Sequence, residues 1–436
     1  MRNNIVHIGA DELSYEIREV VDFARKLEKE AGVEIFWENI GDPVEKGAKI
    51  PDWIKDIVKK AASEDCSFAY SPTSGLLKTR KFLVNEREKN NHGISLSEDD
   101  ILFFNGLGDA ISKIYTYLRR ESRVIGPSPA YPTHSSSEGA HAGSIHITYE
   151  LNSHKNWLPN LEDLRNKVKY NTAISGILII NPDNPTGMIY PRRILKEIIK
   201  IAKEFDLFII SDEIYSNIVY GAEEMTPLYQ IIGDVPAIVM KGLSKEIPWP
   251  GARCGWIEVY NKDKDPVFAR YIKTLLDAKR LEVCSTTLPQ KVLPELLSHP
   301  EYKKYLKERN SIYSKKADMA YDAFKNTPGV SFVKPEGSFY ASIVFDDGVL
   351  NNKQKLKVEN NKAEDLLNEM LSSKQSSPDK RFVSYLLASS GICTVPLSGF
   401  NSDLDGFRMT LLETDDKKFQ WLLETIAEKI KEYLNS

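Results

Sequence analysis

Five short segments hold residue types that could do chemistry together. In GLSKEIPWPGARCGW (242–256), Lys245 follows an apolar run into a Pro/Gly-rich loop, and Arg253 comes eight residues later in a second short apolar strand. A lysine amine forms a Schiff base with an aldehyde, and a buried arginine demands an anion. The pair suits a phosphorylated cofactor that carries an aldehyde. In SDEIY (211–215), Asp212 closes an apolar run, where a buried carboxylate needs a cationic partner such as a protonated pyridine nitrogen. Tyr215, three residues on, is placed to reach the ring's phenolic oxygen. INPDNPTG (180–187) has two Asn-Pro steps that stiffen a loop and present the Asn184 amide. FNGLGDAI (104–111) sets Gly106, Leu107 and Gly108 between a strand and a helix, where backbone N–H groups bind phosphate. PSPAYPTH (127–134) offers the Tyr131 ring for stacking. Taken alone, each has a simpler account: a solvated lysine, a turn, a packed aromatic.

These segments need a scaffold that brings their ends together. Apolar runs at 101–106, 122–129, 175–182, 207–214, 237–244 and 254–259 are predicted strands, with a helix over 191–205. Strands alternating with helices imply parallel β-α-β units, a sheet covered on both faces, and ligands at the carboxyl ends of the strands. The fold class expected is α/β: a large domain with a mostly parallel central sheet flanked by helices, plus a smaller α+β domain from both termini. The large, cofactor-binding domain is expected over 49–296, and the small one over 1–48 and 297–436. Residues 11–31 are predicted as one amphipathic helix capped by Asp11, with Leu13, Ile17, Val20, Val21, Ala24 and Leu27 in its apolar stripe. A charged helix is expected near 300–325, then paired strands. The polar stretch 348–380 is expected as a surface insertion around one short helix near 363–371.

The chain has 436 residues, 42% hydrophobic and 28% charged, with a formal net charge of −4. That balance is globular and gives no basic face for nucleic acid. No apolar run nears the roughly 20 residues of a membrane helix. MRNNIVHIGADEL lacks the apolar core of an export signal. Four scattered cysteines without a CxxC, and seven histidines without an HExxH, predict neither a disulfide framework nor a metal. A cytoplasmic protein is expected.

The five segments, in this order and spacing, resemble the pyridoxal-phosphate-dependent aminotransferases of fold type I, class I/II. VPLSGF (395–400) and GFRMTLL (406–412) extend the likeness, which spans about residues 13–434 and is strongest toward bacterial alanine and aspartate transaminases. The resemblance implies that Lys245 is the Schiff-base lysine and proton carrier. It implies that Asp212 partners the pyridine nitrogen, that Asn184 and Tyr215 meet the 3-hydroxyl oxygen, and that Tyr131 stacks on the ring. Arg253, Ser244 and the backbone of Gly106, Leu107 and Gly108 form the phosphate cup, joined by Tyr70 from a neighbouring subunit. Arg408 grips the substrate α-carboxylate, beside the backbone of Gly41. The family often has serine where this chain has Gly242. The alanine-type relatives carry arginine where this chain has Glu282, with Arg280 two residues earlier as a substitute. The implied activity moves an amino group from an L-amino acid such as alanine or aspartate to a 2-oxo acid such as 2-oxoglutarate, by ping-pong turnover in a homodimer with shared sites. A C–S lyase or synthase on the same scaffold, and a non-catalytic cofactor-binding sensor, are the alternatives.

Overall fold

The computed structural model describes residues 4–13, 16–89, 95–373 and 376–436. Its centre is an eight-stranded sheet: β1 (Ile101–Phe104), β2 (Arg123–Ser128), β3 (Thr148–Asn152), β4 (Leu158–Pro159), β5 (Ile174–Ile180), β6 (Phe208–Asp212), β7 (Ala237–Gly242) and β8 (Gly255–Tyr260). The spatial order is β1-β8-β7-β6-β5-β2-β3-β4. β3, β2, β5, β6 and β7 pair in parallel; β8 is antiparallel to both β7 and β1, so β1 runs with the majority. The near-continuous apolar stretches of β1, β7 and β8 are buried throughout, as a strand covered on both faces requires.

The helix Arg192–Glu204 shows how one face is covered. Leu195, Ile198, Ile199, Ile201 and Ala202 lie inward at helical spacing, and Pro191 sets the entry. Each of the Leu and Ile side chains contributes about 1.5–3 kcal/mol on burial. Because six strands share a direction, their carboxyl ends open on one edge. The chemistry-bearing segments sit there, and β8 starts at that edge because it runs the other way.

A second sheet has the order β9 (Val330–Phe332), β10 (Tyr340–Phe345), β12 (Gly406–Thr410), β11 (Val395–Pro396), all antiparallel. Phe36–Trp37 pairs in parallel with Ile392–Cys393 beside it. Its core takes side chains from the helices Glu16–Ala31, Tyr302–Phe324, Pro378–Ser390 and Asp416–Leu434. Among the described residues no helix is long and apolar enough to cross a membrane.

Three expectations change. The stretch 348–380 is not a surface insertion: Leu350, Leu356, Val358, Ala363, Leu366 and Leu367 are buried in the second core, and the helix runs Asn361–Ser373. Residues 374–375 of that stretch lie outside the described residues. The N-terminal segment is not one helix from Asp11. Asp11 sits inside a short 3-10 turn, Ala10–Glu12, and the α-helix is Glu16–Ala31. Val20, Ala24 and Leu27 are buried, Leu13 is exposed, and the Ile17 side chain lies outside the described residues. Arg253 is not in a strand. It comes directly after the turn Pro250–Ala252 with φ of 46°, two residues before β8.

Candidate active site

At the carboxyl edge of the large sheet lies a cavity of about 350 Å³, the size of a small-ligand site. Gly41, Leu107, Gly108, Tyr131, Asn184, Asp212, Tyr215, Ser244, Lys245, Arg253 and Arg408 all line it. Gly106 stands directly behind Arg253. A Cβ added to it would lie 2.5 Å from the Arg253 Nη2, so the close approach requires glycine, as does its φ of 84°. Of the predicted residues only Tyr70 is elsewhere, 83% exposed on the surface. Glu282 pairs with Lys279 at 2.5 Å and with Lys113, and Arg280 pairs with Asp277 at 2.8 Å; neither lines the cavity. A larger open depression of about 820 Å³ lies at the opposite, amino ends of the strands, past Ser122, Ser175, Phe208 and Pro236.

Asp212 is the last residue of β6 and is buried. Its Oδ1 accepts the Ile214 N–H at 3.1 Å, and its Oδ2 lies 3.2 Å from the His134 Nε2. The His134 Nδ1 is in turn 3.2 Å from the Tyr115 hydroxyl. Burial holds the Tyr115 phenol well above its usual pKa, so a neutral hydroxyl stands against Nδ1. Tyr115, His134 and Asp212 thus form one buried hydrogen-bonded chain that fixes the Asp212 carboxyl in place. Sequence reasoning passed over His134, although it lies three residues beyond Tyr131 at the start of the helix Pro132–Ala142, on the same face.

Lys245 leaves β7 three residues after its end and donates to the Gly41 carbonyl at 2.6 Å. The Tyr215 hydroxyl donates to that of Tyr340 at 3.3 Å. Burial first, then Tyr340, hold the Tyr215 phenol well above its usual range. Tyr340 is the other missed residue. A Cβ on Gly41 would lie 2.1 Å from its hydroxyl, so Gly41 is glycine because Tyr340 occupies the space. Tyr340 opens β10, where strand alternation sets it on the same face as Ser342, and only the tertiary structure turns that face toward the cavity.

Arg408 is 2% exposed in the middle of β12. Its Nη1 donates to the Asn184 Oδ1 at 3.3 Å, and its Nη2 to the Asn39 carbonyl at 2.5 Å. The guanidinium lies over the rings of Tyr340 and Phe400, 4.4 and 5.0 Å from their centroids. Among the described residues its Nε has no partner and no carboxylate pairs with it. A buried cation without a counter-anion is costly unless an anion arrives. At the other end of the cavity, Arg253 is exposed, not buried as expected, and donates to the Pro250 carbonyl at 3.0 Å. Its guanidinium faces the first turn of the helix Leu107–Thr116, whose N-cap Gly106 offers those N–H groups no side chain. Helix start and guanidinium together form an anion site. The cavity thus holds two anion sites, with an amine and a buried carboxylate also on its walls. Among the described residues no group of three or more His, Cys, Asp or Glu is arranged to hold a metal.

Comparison with known proteins identifies the family. Residues 39–426 match the family described as aminotransferase class I and II. An uncharacterised aminotransferase of Methanocaldococcus jannaschii is 55% identical over 436 residues, covering all of both chains. A glutamate-pyruvate aminotransferase of Escherichia coli is 28% identical over 334 residues, 76% of this chain and 80% of the relative. The solved structure of an alanine aminotransferase from Pyrococcus furiosus superposes with a TM-score of 0.82 at 29% identity, over 98% of each chain. The chain belongs to the class I and II aminotransferases and is a transaminase.

Proposed function

We propose that this transaminase uses pyridoxal phosphate to move the amino group of an L-amino acid such as alanine or aspartate to a 2-oxo acid such as 2-oxoglutarate. The observation that carries the reading is Arg408: a buried cation with no carboxylate partner among the described residues, in the same cavity as Lys245 and Asp212. The residues fit the cofactor. Gly106, Leu107, Gly108, Ser244 and Arg253 would hold its phosphate, Asp212 its ring nitrogen, Asn184 and Tyr215 its phenolic oxygen, Tyr131 its face and Lys245 its aldehyde. When bound, the cofactor supplies an aldehyde that takes up amines and a ring that stores an electron pair.

The chain's own groups do the rest. Arg408 fixes the substrate α-carboxylate bidentately and so orients its Cα–H. Lys245 would take the proton from the substrate Cα as base and deliver it as acid two bonds away, to the carbon beyond the amino nitrogen. His134 holds Asp212 in orientation, and Asp212 would face the ring nitrogen and keep a proton there. Donor and acceptor both present a carboxylate to the same Arg408, so they must use the site in turn, which is ping-pong turnover. The names of the alanine-type relatives support the donor class.

The reading includes a homodimer. Phe68, Tyr70, Leu281 and Val283 are exposed, and Thr73 donates to the Val283 carbonyl at 2.9 Å, so they form one patch. Pairing across a two-fold axis would cover it and bring Tyr70 to the partner's phosphate site. The division at 49 and 297 into cofactor and small domains, and a reducing cytoplasm for four unpaired cysteines, belong to the same reading.

The test is a panel of amino donors against pyruvate and 2-oxoglutarate with purified holoenzyme. Stoichiometric exchange of amino and oxo groups supports the reading. Ammonia release with pyruvate, or no reaction with any amino acid, rejects it.

A further inference from the structure

We infer that the buried Glu38–Lys46 ion pair positions Arg408 and keeps it open for the substrate carboxylate. This rests on Arg408 having the role proposed above. Lys46 Nζ lies 2.6 Å from the Glu38 Oε1 and 3.1 Å from the Trp37 carbonyl; the two side chains are 8% and 0% exposed. The Glu38 Oε2 accepts the Thr410 hydroxyl at 2.9 Å, and the Glu38 carbonyl accepts the Thr410 N–H at 2.9 Å. Thr410 is two residues beyond Arg408 on β12, so both project from one face of the sheet. Glu38 is clipped to that strand by side chain and backbone alike.

The consequence falls on the next residues. Asn39 gives its carbonyl to Arg408, and Gly41 gives its carbonyl to Lys245. Residues 38–41 belong to no helix and lie past the short strand Phe36–Trp37, so these clips decide where the two carbonyls stand. The charges matter as much. Burial first, then Glu38, push the buried Cys393 thiol up, while Arg408 and Lys46 oppose them, so all three charges surround one side chain. Yet Arg408 bonds to the Asn184 amide and a carbonyl, not to Glu38. Lys46 satisfies the carboxylate that would otherwise compete with substrate for Arg408. A buried carboxylate stripped of its partner must find another cation or take a proton.

The test uses Lys46→Met, which keeps the aliphatic stem and removes the charge. KM for both amino and oxo acid should rise about tenfold, the worth of one hydrogen bond to a charged group. The kcat should stay within about twofold, with cofactor retention unchanged. Glu38→Gln combined with Lys46→Met should recover most of the lost affinity, because no carboxylate remains to compete. A purely structural pair predicts the reverse, since the double variant removes still more bonding. An unchanged KM in Lys46→Met, or a double variant no better than the single one, overturns the inference while wild-type transamination stands. A wild-type enzyme that transaminates no amino acid overturns the proposed function and this inference with it. Should Lys46→Met fail to fold, Thr410→Val cuts the same clip without touching charge. It should raise KM roughly threefold at constant kcat, and an unchanged KM rejects the inference.

Discussion

Replacing Arg408 by methionine should separate activity from stability. In the folded protein the guanidinium makes two hydrogen bonds, at 3.3 and 2.5 Å, and lies over two rings. Each charged hydrogen bond contributes about 1.5–3 kcal/mol, and the ring contacts up to about 2 kcal/mol. Against this stands the desolvation of a cation 2% exposed with no counter-anion among the described residues, several kcal/mol by itself. The terms nearly cancel, so stability should change by no more than about 1–2 kcal/mol in either direction. Catalysis has no such cancellation. A substrate carboxylate held by two charge-assisted bonds loses about 3–6 kcal/mol, or roughly 10²–10⁴-fold in kcat/KM. The assay is single-turnover reaction of holoenzyme with L-alanine and, in parallel, with a simple alkylamine that lacks a carboxylate, alongside thermal unfolding. The alanine rate should collapse, the slow amine rate should hold, and Tm should move by a few degrees at most. A loss under tenfold with alanine, an equal loss with the amine, or a collapse of Tm would refute the assignment of Arg408 as the carboxylate cation.

The same geometry gives further expected outcomes. Lys245→Ala should bind cofactor non-covalently yet turn over at less than about a thousandth of the wild-type rate, as loss of a general base implies; faster turnover would remove Lys245 from that role. His134→Phe orphans both Asp212 and Tyr115 and should lower kcat/KM by roughly 10–100-fold, equivalent to about 1.5–3 kcal/mol; unchanged kinetics would show that Asp212 needs no support. Burial pushes the Asp183 carboxyl up to about 7, against hydrogen bonds from Thr186 and the Asn184 backbone, and among the described residues its Oδ1 has no side-chain hydrogen-bond partner. The folded protein therefore favours the neutral acid, a contribution present below the usual value near 4 and lost as pH rises through about 7. Asp183→Asn should accordingly gain a few kcal/mol over wild type at pH 8 but little at pH 4; equal denaturant midpoints at both would reject it. Tyr70→Phe should weaken cofactor retention more than it alters the chemical step, and sedimentation at low micromolar concentration should show a dimer; a fully active monomer would sink the shared site.

The chemistry along the main strands was legible in the chain. An apolar run buried on both faces ends abruptly, and the residue after its last apolar position must face the ligand edge. Asp212, Asn184, Lys245 and Gly106 could therefore be placed from local pattern. Arg408 and Gly41 were visible only through resemblance, because nothing near them in the chain says that one is a buried cation and the other a space cleared for Tyr340. Composition misled at 348–380. Its polar average hides Leu350, Leu356 and Val358, whose burial depends on helices that arrive from both termini. Arg253 was read as a strand residue because its left-handed backbone is set by the Pro250–Ala252 turn, not by hydrophobic period. His134 beneath Asp212, Phe400 under Arg408 and the Glu38–Lys46 clip emerge only in the folded molecule. Each joins residues distant in the chain or depends on a buried setting, and a sequence shows a residue's type and spacing but not which distant group will share its desolvated space.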